Sequence, residues 1–311
     1  LVAADRTPNP HLAEVKKVYQ PVKFKSNEDL QIDGITKIII TNHYDFLSLD
    51  HLDFYWSIDR DGKQVLKGKL GKLNLNPGDS EVFSFNHGTI QVSPGSEYFL
   101  MLRAKSKKKT ELLSKQHLVA WEQFKLPMNK KVISTNSKNL PQVKLSKTKE
   151  YFKVNGKNFR ISFDREIGSL ENFEYEGFNL ILIGPEPNFW RAPTDNDLGN
   201  GMQNRAKTWK TISDRLILQS FTANMSDNRV QLSKVSTDQI TGLILETSYN
   251  IYGNGLLSIQ QKINSINESN SELPRFGVKM TLPKDFTNLE WFGRGPHESY
   301  WDRKTSAPIG H

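Results

Sequence analysis

The sequence predicts an all-β protein that begins with an immunoglobulin-like sandwich and continues into a large antiparallel sheet. Short runs of β-branched and aromatic residues recur along most of the 311 residues. Turn residues separate these runs roughly every ten positions, which is typical of antiparallel β proteins. The pairs Asp61-Gly62 and Asn155-Gly156 each lie between two such runs, and dipeptides of this kind favour the tight turns of β-hairpins.

The first β-rich region covers residues 22–126. Its clearest runs are β-branched or aromatic, and they lie at 38–41, 54–58, 63–67, 81–85, 98–103 and 117–121. Turns at Asn76-Pro77-Gly78 and Ser93-Pro94-Gly95 separate several of them. About seven short strands in roughly 100 residues predict an immunoglobulin-like β-sandwich. Ahead of the sandwich, apolar side chains at spacings of three and four predict a helix over 10–19.

The stretch 127–141 is rich in Asn, Lys and Ser and is bounded by prolines, so it is predicted to be a linker. The region 142–311 is predicted to form the second β domain. Its expected strands lie at 151–154, 158–163, 216–223, 229–235, 242–251, 255–266 and 277–282. A further strand-like run at 180–183 ends at a Gly184-Pro185 break, and a helix is expected over 203–210.

Composition excludes several classes of function. The absence of cysteine excludes disulfides, thiolate metal sites and a cysteine nucleophile. The net charge of +8 could attract polyanions, but the lysines are scattered, and the densest run, at 105–109, has no aromatic residue between its charges. We therefore expect no nucleic-acid partner. No apolar run approaches the roughly 18 residues of a membrane span, so no membrane partner is expected either.

The stretch from Asn188 to Gly199 combines the most varied chemistry in the chain, in the order Asn-Phe-Trp-Arg-Ala-Pro-Thr-Asp-Asn-Asp-Leu-Gly. Pro193 and the uninterrupted run of acidic and amide residues after it argue against regular helix or strand, so a rigid loop is predicted. Such a loop could present Arg191 and its acidic cluster to a sugar, an ion or another domain. The alternative is an Asx-rich turn that bonds only to itself.

Three motifs resemble the large bacterial β-galactosidases of the second glycoside hydrolase family. The run 189–197 is similar to the opening motif of their last domain. The run 291–303, Trp-Phe-Gly-Arg-Gly-Pro-His-Glu-Ser-Tyr-Trp-Asp-Arg, is similar to that domain's second hallmark, although Trp301 stands where the family commonly has proline. The run 1–10 resembles the exit from the catalytic barrel. The motifs occur in the family's order and extend from one end of the chain to the other.

The resemblance implies an arrangement of four parts. Residues 1–21 would be the exit segment from a missing catalytic barrel, 22–126 the sandwich, 127–141 the linker, and 142–311 an incomplete galactose-mutarotase-like β-supersandwich. Because more strands follow in the family, the chain is interpreted as an internal or truncated piece of a longer protein. An uncovered sheet edge in such a piece would favour self-association through 142–311.

The resemblance also implies a non-catalytic role. In the family both catalytic glutamates lie on the barrel, so no catalytic residue is expected in this chain, whose parent would hydrolyse terminal β-D-galactosides with retention. The expected partners are the missing barrel, a β-galactoside in the intact enzyme and further copies in a homo-oligomer. No cofactor is expected here, since the family commonly binds magnesium and sodium outside this region. A bacterial source is implied, and cytoplasmic and periplasmic locations both stay open.

Two groups of site residues follow from these motifs. The substrate-side or barrel-facing group comprises Trp190, Arg191, Asp195, Asn196 and Asp197. The second-motif group, with a structural or interface role, comprises Trp291, Gly293, Gly295, Pro296, Glu298, Tyr300, Asp302 and Arg303. No metal site is predicted, because Gly199 and Ala206 occupy positions where a calcium loop of the EF-hand type needs ligands. An irregular cation site at Asp195–Asp197 stays open.

Two other functions are compatible with part of this pattern. A free-standing carbohydrate-binding protein of two β domains would use aromatic faces such as those of Trp190 or Trp291 to stack on sugar rings. A mutarotase-like epimerase would need an acid–base pair within 142–311, and the sequence offers no such constellation containing histidine. An upstream barrel with paired glutamates in the complete reading frame would distinguish the enzyme fragment from the binding protein.

Overall fold

The computed structural model describes residues 2–26, 34–128 and 137–311. Its regular structure is mostly antiparallel strand, so the all-β prediction is confirmed. The chain divides into two compact units, one of Leu1–Ile133 with Leu289–His311 and one of Ser134–Asn288. The predicted linker 127–141 falls largely on 129–136, which lie outside the described residues. Within the described ranges, no helix has the length and apolar character needed to cross a membrane.

The first unit begins with helix α1, Leu12–Val18, inside the segment predicted as helical. Seven strands follow among the described residues of its first part: β1 Val22–Ser26, β2 Ile35–Asn42, β3 Leu52–Arg60, β4 Lys63–Lys69, β5 Ser80–Asn86, β6 Tyr98–Ser106 and β7 Leu118–Lys125. They form two sheets, with strand orders β1-β2-β5 and β4-β3-β6-β7. This three-plus-four division of antiparallel strands agrees with the immunoglobulin-like sandwich that the sequence predicts.

Alternating apolar side chains of both sheets build the core of this unit. Ile38 and Ile40 of β2 are fully buried, whereas the residues between and before them are more exposed, as expected for a strand with one face toward a core. Phe24 meets Phe54 edge to face at 6.4 Å, and Trp56 stacks on Phe85 at 4.8 Å. Each fully buried large apolar side chain contributes roughly 1.5–3 kcal/mol to the free energy of folding.

The two predicted hairpins form, with different turns. Between β3 and β4, Asp61 and Gly62 both have positive φ, 47° and 76°, as a two-residue turn of the favoured hand requires. The second hairpin has a longer loop, 156–158. There Gly156 is needed for close approach, because a Cβ at this position would lie 2.0 Å from the ring of Phe159.

The second unit contains eleven strands within its described residues. They are β8 Lys144–Lys147, β9 Tyr151–Asn155, β10 Phe159–Asp164, β11 Leu170–Tyr175, β12 Phe178–Asn179, β13 Ile183–Asn188, β14 Ile217–Ser226, β15 Arg229–Asp238, β16 Leu243–Tyr252, β17 Leu257–Ser265 and β18 Gly277–Thr281. The sheets have the orders β12-β11-β10-β9-β8, β14-β15-β16-β17 and β13-β18. Side chains of β9 and β10 share one buried cluster with side chains of β14, β15 and β16.

One predicted break in this unit is wrong. The strand expected at 180–183 begins at Ile183 and continues through Gly184 and Pro185, and its register against β18 shifts between Ile183 and Glu186. A bulge of this kind absorbs residues that cannot pair regularly, and proline lacks the N–H that a ladder needs. The strands at 170–175 and 144–147 were not predicted.

Short helices connect β13 to β14: α2 Asp195–Gly199, α3 Met202–Arg205 and α4 Ile212–Arg215, with a 3₁₀ turn at Lys207–Lys210. The helix predicted over 203–210 is therefore divided between α3 and the 3₁₀ turn. The chain ends with two short paired strands, β19 Gly293–Arg294 and β20 Ile309–Gly310. These strands lie in the segment 289–311, which belongs to the first compact unit, whereas the sequence interpretation placed it with 142–288.

Candidate functional site

The centre of the first motif is a two-pronged ion pair between Arg191 and Asp197. The guanidinium donates through Nη1 to Asp197 Oδ2 at 2.5 Å and through Nη2 to Oδ1 at 3.0 Å. Its Nε donates to the backbone carbonyl of Pro274 at 3.3 Å, so the same side chain also contacts the segment before β18. A forked contact of this kind fixes the orientation of both planar groups. We call Arg191, Thr194 and Asp197 the motif clasp.

Thr194 completes the clasp and is the N-cap residue of helix α2. Its backbone N–H and its hydroxyl donate to Asp197 Oδ2 at 2.8 and 2.9 Å, and its Oγ1 accepts from the Asp197 N–H at 3.3 Å. This reciprocal arrangement is a capping box. The prediction of a rigid loop at 195–197 is therefore wrong, because these residues form a capped helical turn. The spacing Thr194-x-x-Asp197 is itself the sequence signal for such a cap.

The clasp determines the charge of Asp197. The Arg191 guanidinium, together with the Thr194 N–H and hydroxyl, lowers the pKa of this carboxyl far below its ordinary value of 3.8, although partial burial acts in the opposite direction. Asp197 is buried, with 9% of its surface exposed. It is therefore ionised at neutral pH and has no proton to donate there.

Asp195 and Asn196 lie outside the clasp. Both are exposed on α2, and among the described residues neither side chain makes a hydrogen bond or an ion pair. Asp195 therefore does not join the ion pair of Arg191 and Asp197. The carboxylate of Asp195 and the amide of Asn196 are instead exposed at the surface, close in sequence to Arg191, which the clasp holds in place.

Aromatic side chains pack around Phe189, two residues before Arg191 of the clasp. Phe189 is buried, stacks on Phe276 at 5.7 Å and lies 6.1 Å from the ring of Trp209. The Trp209 indole N–H donates to the Ser271 carbonyl at 3.2 Å, which satisfies its polar atom inside the core. Trp190 is half-buried and packs against this cluster, so only part of its ring is open to a ligand.

A second clasp of the same design was not predicted. Arg215 donates from Nε to Asp238 Oδ1 at 3.0 Å and from Nη2 to Oδ2 at 3.3 Å. Thr241 donates to Oδ2 of the same carboxylate from its N–H at 3.0 Å and from its hydroxyl at 2.7 Å. Asp238 is buried, and burial opposes ionisation, but these bonds lower its pKa overall. The clasp ties α4 to the end of β15.

The second motif has a mixture of paired and exposed side chains. Glu298 and Arg303 form an ion pair at 3.1 Å, and the Arg303 guanidinium lies 4.8 Å from the centre of the Tyr300 ring. Gly293 pairs with Gly310 in the β19–β20 ladder, and the Gly295-Pro296 peptide bond is cis. The aromatic rings of this motif that face solvent belong to Trp291 and Trp301, which are 53% and 91% exposed. Asp302 is exposed as well.

The described ranges contain no group of three or more His, Asp or Glu side chains arranged to hold a metal ion. What the first motif can supply chemically is therefore a fixed guanidinium, one exposed carboxylate, one exposed amide and part of an indole face. Groups of this kind hydrogen-bond to hydroxyls and stack on the apolar face of a sugar ring.

Both halves of the chain match known protein families. Residues 38–127 match the family described as beta-galactosidase, domain 4, and residues 155–311, just over half of the chain, match the beta galactosidase small chain family. A solved structure, that of the sporulation control protein Spo0M from Bacillus subtilis, is similar over 78% of this chain and 89% of its own, with 8% identity and a TM-score of 0.24. That likeness is too weak to carry an argument.

Curated relatives match along the whole chain. The chain is 33% identical to a beta-galactosidase of Priestia megaterium, covering 99% of this chain and 29% of that protein. It is 26% identical to a beta-galactosidase of Clostridium acetobutylicum, covering 100% of this chain and 33% of that protein. The chain thus spans about a third of the length of the relatives it matches. The chain therefore belongs to the beta-galactosidase small chain family. It contains a beta-galactosidase domain 4 followed by a small-chain domain, and together the two correspond to the C-terminal part of the bacterial beta-galactosidases.

Proposed function

We propose that this chain is the non-catalytic C-terminal portion of a β-galactosidase-like glycoside hydrolase. The parent enzyme would hydrolyse terminal β-D-galactosides with retention, and this portion would shape the wall of the sugar site. Two findings support the proposal: the family membership of the chain, and relatives named beta-galactosidase that are about three times its length.

The observation that carries the non-catalytic role is that three acids on or beside the two motifs are paired with basic side chains. A retaining glycosidase needs two carboxyls roughly 5–5.5 Å apart, one of them able to donate a proton. Asp197 is held ionised by its clasp. Glu298 pairs with Arg303, and Glu290 pairs with His311 at 2.9 Å. Each of these three acids thus has a basic side chain as its partner.

The first motif suits a wall of the sugar site. The motif clasp fixes α2, so the exposed Asp195 and Asn196 keep a constant direction relative to the half-buried Trp190. Ordering these groups in advance lowers the entropic cost of binding a polyhydroxyl ligand. In this proposal magnesium and sodium are held by other parts of the parent, as the family resemblance implies.

The proposed partners are the catalytic barrel of the same polypeptide and further copies of the enzyme. The paired strands β13 and β18 and their flanks support this part of the proposal, because they expose a series of large apolar side chains. These are Leu182, Ile183, Phe276, Val278, Met280, Leu282 and Phe286, each between 41% and 61% exposed. Apolar surface of that extent usually lies against another polypeptide surface.

A chimera tests the proposal. The region of the Priestia megaterium beta-galactosidase that matches this chain is replaced by the chain, and hydrolysis of a chromogenic β-galactoside is measured. We expect an active chimera in which Arg191→Ala lowers kcat/KM by about tenfold or more, the equivalent of one lost charge-assisted hydrogen bond. The control Glu81→Ala, on exposed strand β5, should leave kcat/KM unchanged. A folded chimera of normal size without activity would refute the proposal.

A further inference from the structure

Gln123 of β7 binds the backbone of segment 303–311 in the way a neighbouring strand would. Its side-chain Nε2 donates to the Ile309 carbonyl at 2.8 Å, and its Oε1 accepts from the Ile309 N–H at 2.7 Å. The two residues are 186 positions apart in the sequence. A primary amide that satisfies both backbone groups of one residue fixes the position of that residue along the strand and the direction in which it faces.

Glu14 of α1 binds the same segment three residues earlier. Its Oε2 accepts from the Ser306 N–H at 2.7 Å and its Oε1 from the Thr305 N–H at 3.2 Å. Partial burial raises the pKa of Glu14, but the bonds from Ser306 and Thr305 outweigh it and lower the pKa overall. The carboxylate is therefore ionised at neutral pH, when its hydrogen bonds to the two amides are charge-assisted.

Helix α1 is itself bound to β7, so Glu14 and Gln123 lie on two elements that contact each other. Lys17 is buried, donates to the Trp121 carbonyl and to Glu122 Oε2 at 2.8 Å, and lies 4.2 Å from the centre of the Trp121 ring. Because Lys17 fixes α1 against β7, Glu14 and Gln123 keep a constant position relative to each other.

The segment is also tied back to the second motif. Arg294 of β19 donates to the Ala307 carbonyl at 2.9 Å and to the Lys304 carbonyl at 3.2 Å, and the Gly295 N–H donates to Pro308 at 3.1 Å. Ala307 is fully buried. The position of 305–309 therefore determines the position of 293–295, and with them the neighbouring residues of the motif.

We propose that Glu14 and Gln123 are positioning residues for the second motif. They fasten 305–309 to α1 and β7, and this contact fixes the backbone of the second motif, which carries the exposed side chains of Trp291 and Trp301. This inference rests on contacts within the first unit alone, so it stands or falls independently of the proposed function.

Residue-resolved amide exchange on the full chain tests the proposal. Glu14→Ala should accelerate exchange at Thr305 and Ser306, and Gln123→Ala at Ile309, by about tenfold or more, since each lost bond exposes a specific N–H. Glu14→Gln keeps one acceptor oxygen, so one of its two amides should stay protected. The indole N–H resonances of Trp291 and Trp301 should shift in both alanine variants, which a purely global loss of stability would not produce.

Two exposed strand residues provide matched controls, Glu81→Ala on β5 and Gln64→Ala on β4. Neither side chain makes a hydrogen bond or an ion pair with the part of the chain that the structure describes, so neither variant should change any of these signals. Unchanged exchange at Thr305, Ser306 and Ile309 in the alanine variants would overturn the proposal. So would acceleration spread evenly over the strands of both sandwich sheets, or fixed indole resonances.

Discussion

The carboxylate of Asp197 accepts bonds from four donors, two on Arg191 and two on Thr194. Replacing it by the neutral amide in Asp197→Asn should lower the free energy of unfolding at pH 7 by about 1.5–3 kcal/mol, the usual value of a hydrogen bond to a charged group. Urea unfolding measures this difference. Asp195→Asn, the exposed neighbour on the same turn, is the control and should change stability by less than about 0.5 kcal/mol.

The pH dependence of that difference has a definite sign. Because the folded chain holds the pKa of Asp197 below the ordinary value of 3.8, its contribution is fully present above about pH 4 and is lost as pH falls further. The gap between the wild type and Asp197→Asn should therefore narrow below pH 4. An equal gap at pH 7 and pH 3 would mean that the ion pair does not stabilise the fold.

His87 should give the sandwich unit a second pH dependence. The residue is buried, its ring lies edge-on to the stacked rings of Trp56 and Phe85 at 6.4 and 6.3 Å, and neither ring nitrogen has a hydrogen-bond partner among the described residues. Burial lowers the pKa of His87 from 6.5, so its stabilising contribution is present above pH 6.5 and is lost as pH falls toward the folded pKa.

Thermal unfolding of His87→Gln and the wild type between pH 7.5 and 5 tests this prediction. The wild type should lose more stability than the variant over that range, because only the wild type must protonate a buried ring. The exposed His43, replaced in His43→Gln, provides the control. Parallel pH profiles for the wild type and His87→Gln would show that the ring is solvated in the folded chain.

At the scale of elements, the capped turn α2 depends on Thr194. Thr194→Ala removes the hydroxyl that caps the Asp197 N–H and should cost about 1 kcal/mol of stability, while Thr194→Ser should retain most of it. The exposed Thr287, replaced by alanine, is the matched control. Chemical denaturation measures the cost, and faster exchange of the Asp197 amide in Thr194→Ala alone would locate it in the turn.

The elements that the sequence predicts well are those with local signals. Asp61-Gly62 lies in a hairpin turn with positive φ at both residues, and the β-branched run of β2 alternates between buried and exposed positions. The turn at 195–199 was not predicted because the acidic residues were read as a loop signal, although Thr194 and Asp197 have capping-box spacing. Strand β13 was misplaced because a bulge, rather than a break, accommodates Gly184 and Pro185.

Contacts between residues far apart in the sequence could not be predicted from the local sequence pattern. Gln123 and Ile309 are 186 residues apart, and Glu14 and Ser306 are 292 apart. Nothing about an isolated glutamine in a strand indicates that its amide binds a backbone far along the chain. The same holds for the clasp of Arg215 and Asp238, which forms because α4 and the end of β15 meet. Family resemblance located the motifs, but their side-chain contacts depend on the tertiary structure.

At the scale of the whole molecule, the exposed apolar side chains of β13, β18 and their flanks predict self-association. Burial contributes roughly 25 cal/mol per Å², so covering a few hundred Å² of this surface would stabilise an assembly by several kcal/mol. Light scattering over a concentration series should show a mass above 35.6 kDa that falls in the double variant Val278→Ser, Met280→Ser. The double variant Val65→Ser, Val82→Ser, on exposed sandwich positions, is the control. A strictly monomeric wild type would contradict the prediction.

The central claim is that the chain carries no glycosidase centre of its own, and the most direct test is the purified chain with a chromogenic β-galactoside. We predict that chromophore release equals that of a matched blank, because the family resemblance places both catalytic glutamates outside this chain, and Asp197 and Glu298 are held in ion pairs. Turnover above the blank that disappears when an acid within 142–311 is replaced would contradict the claim and place a catalytic carboxyl in this chain.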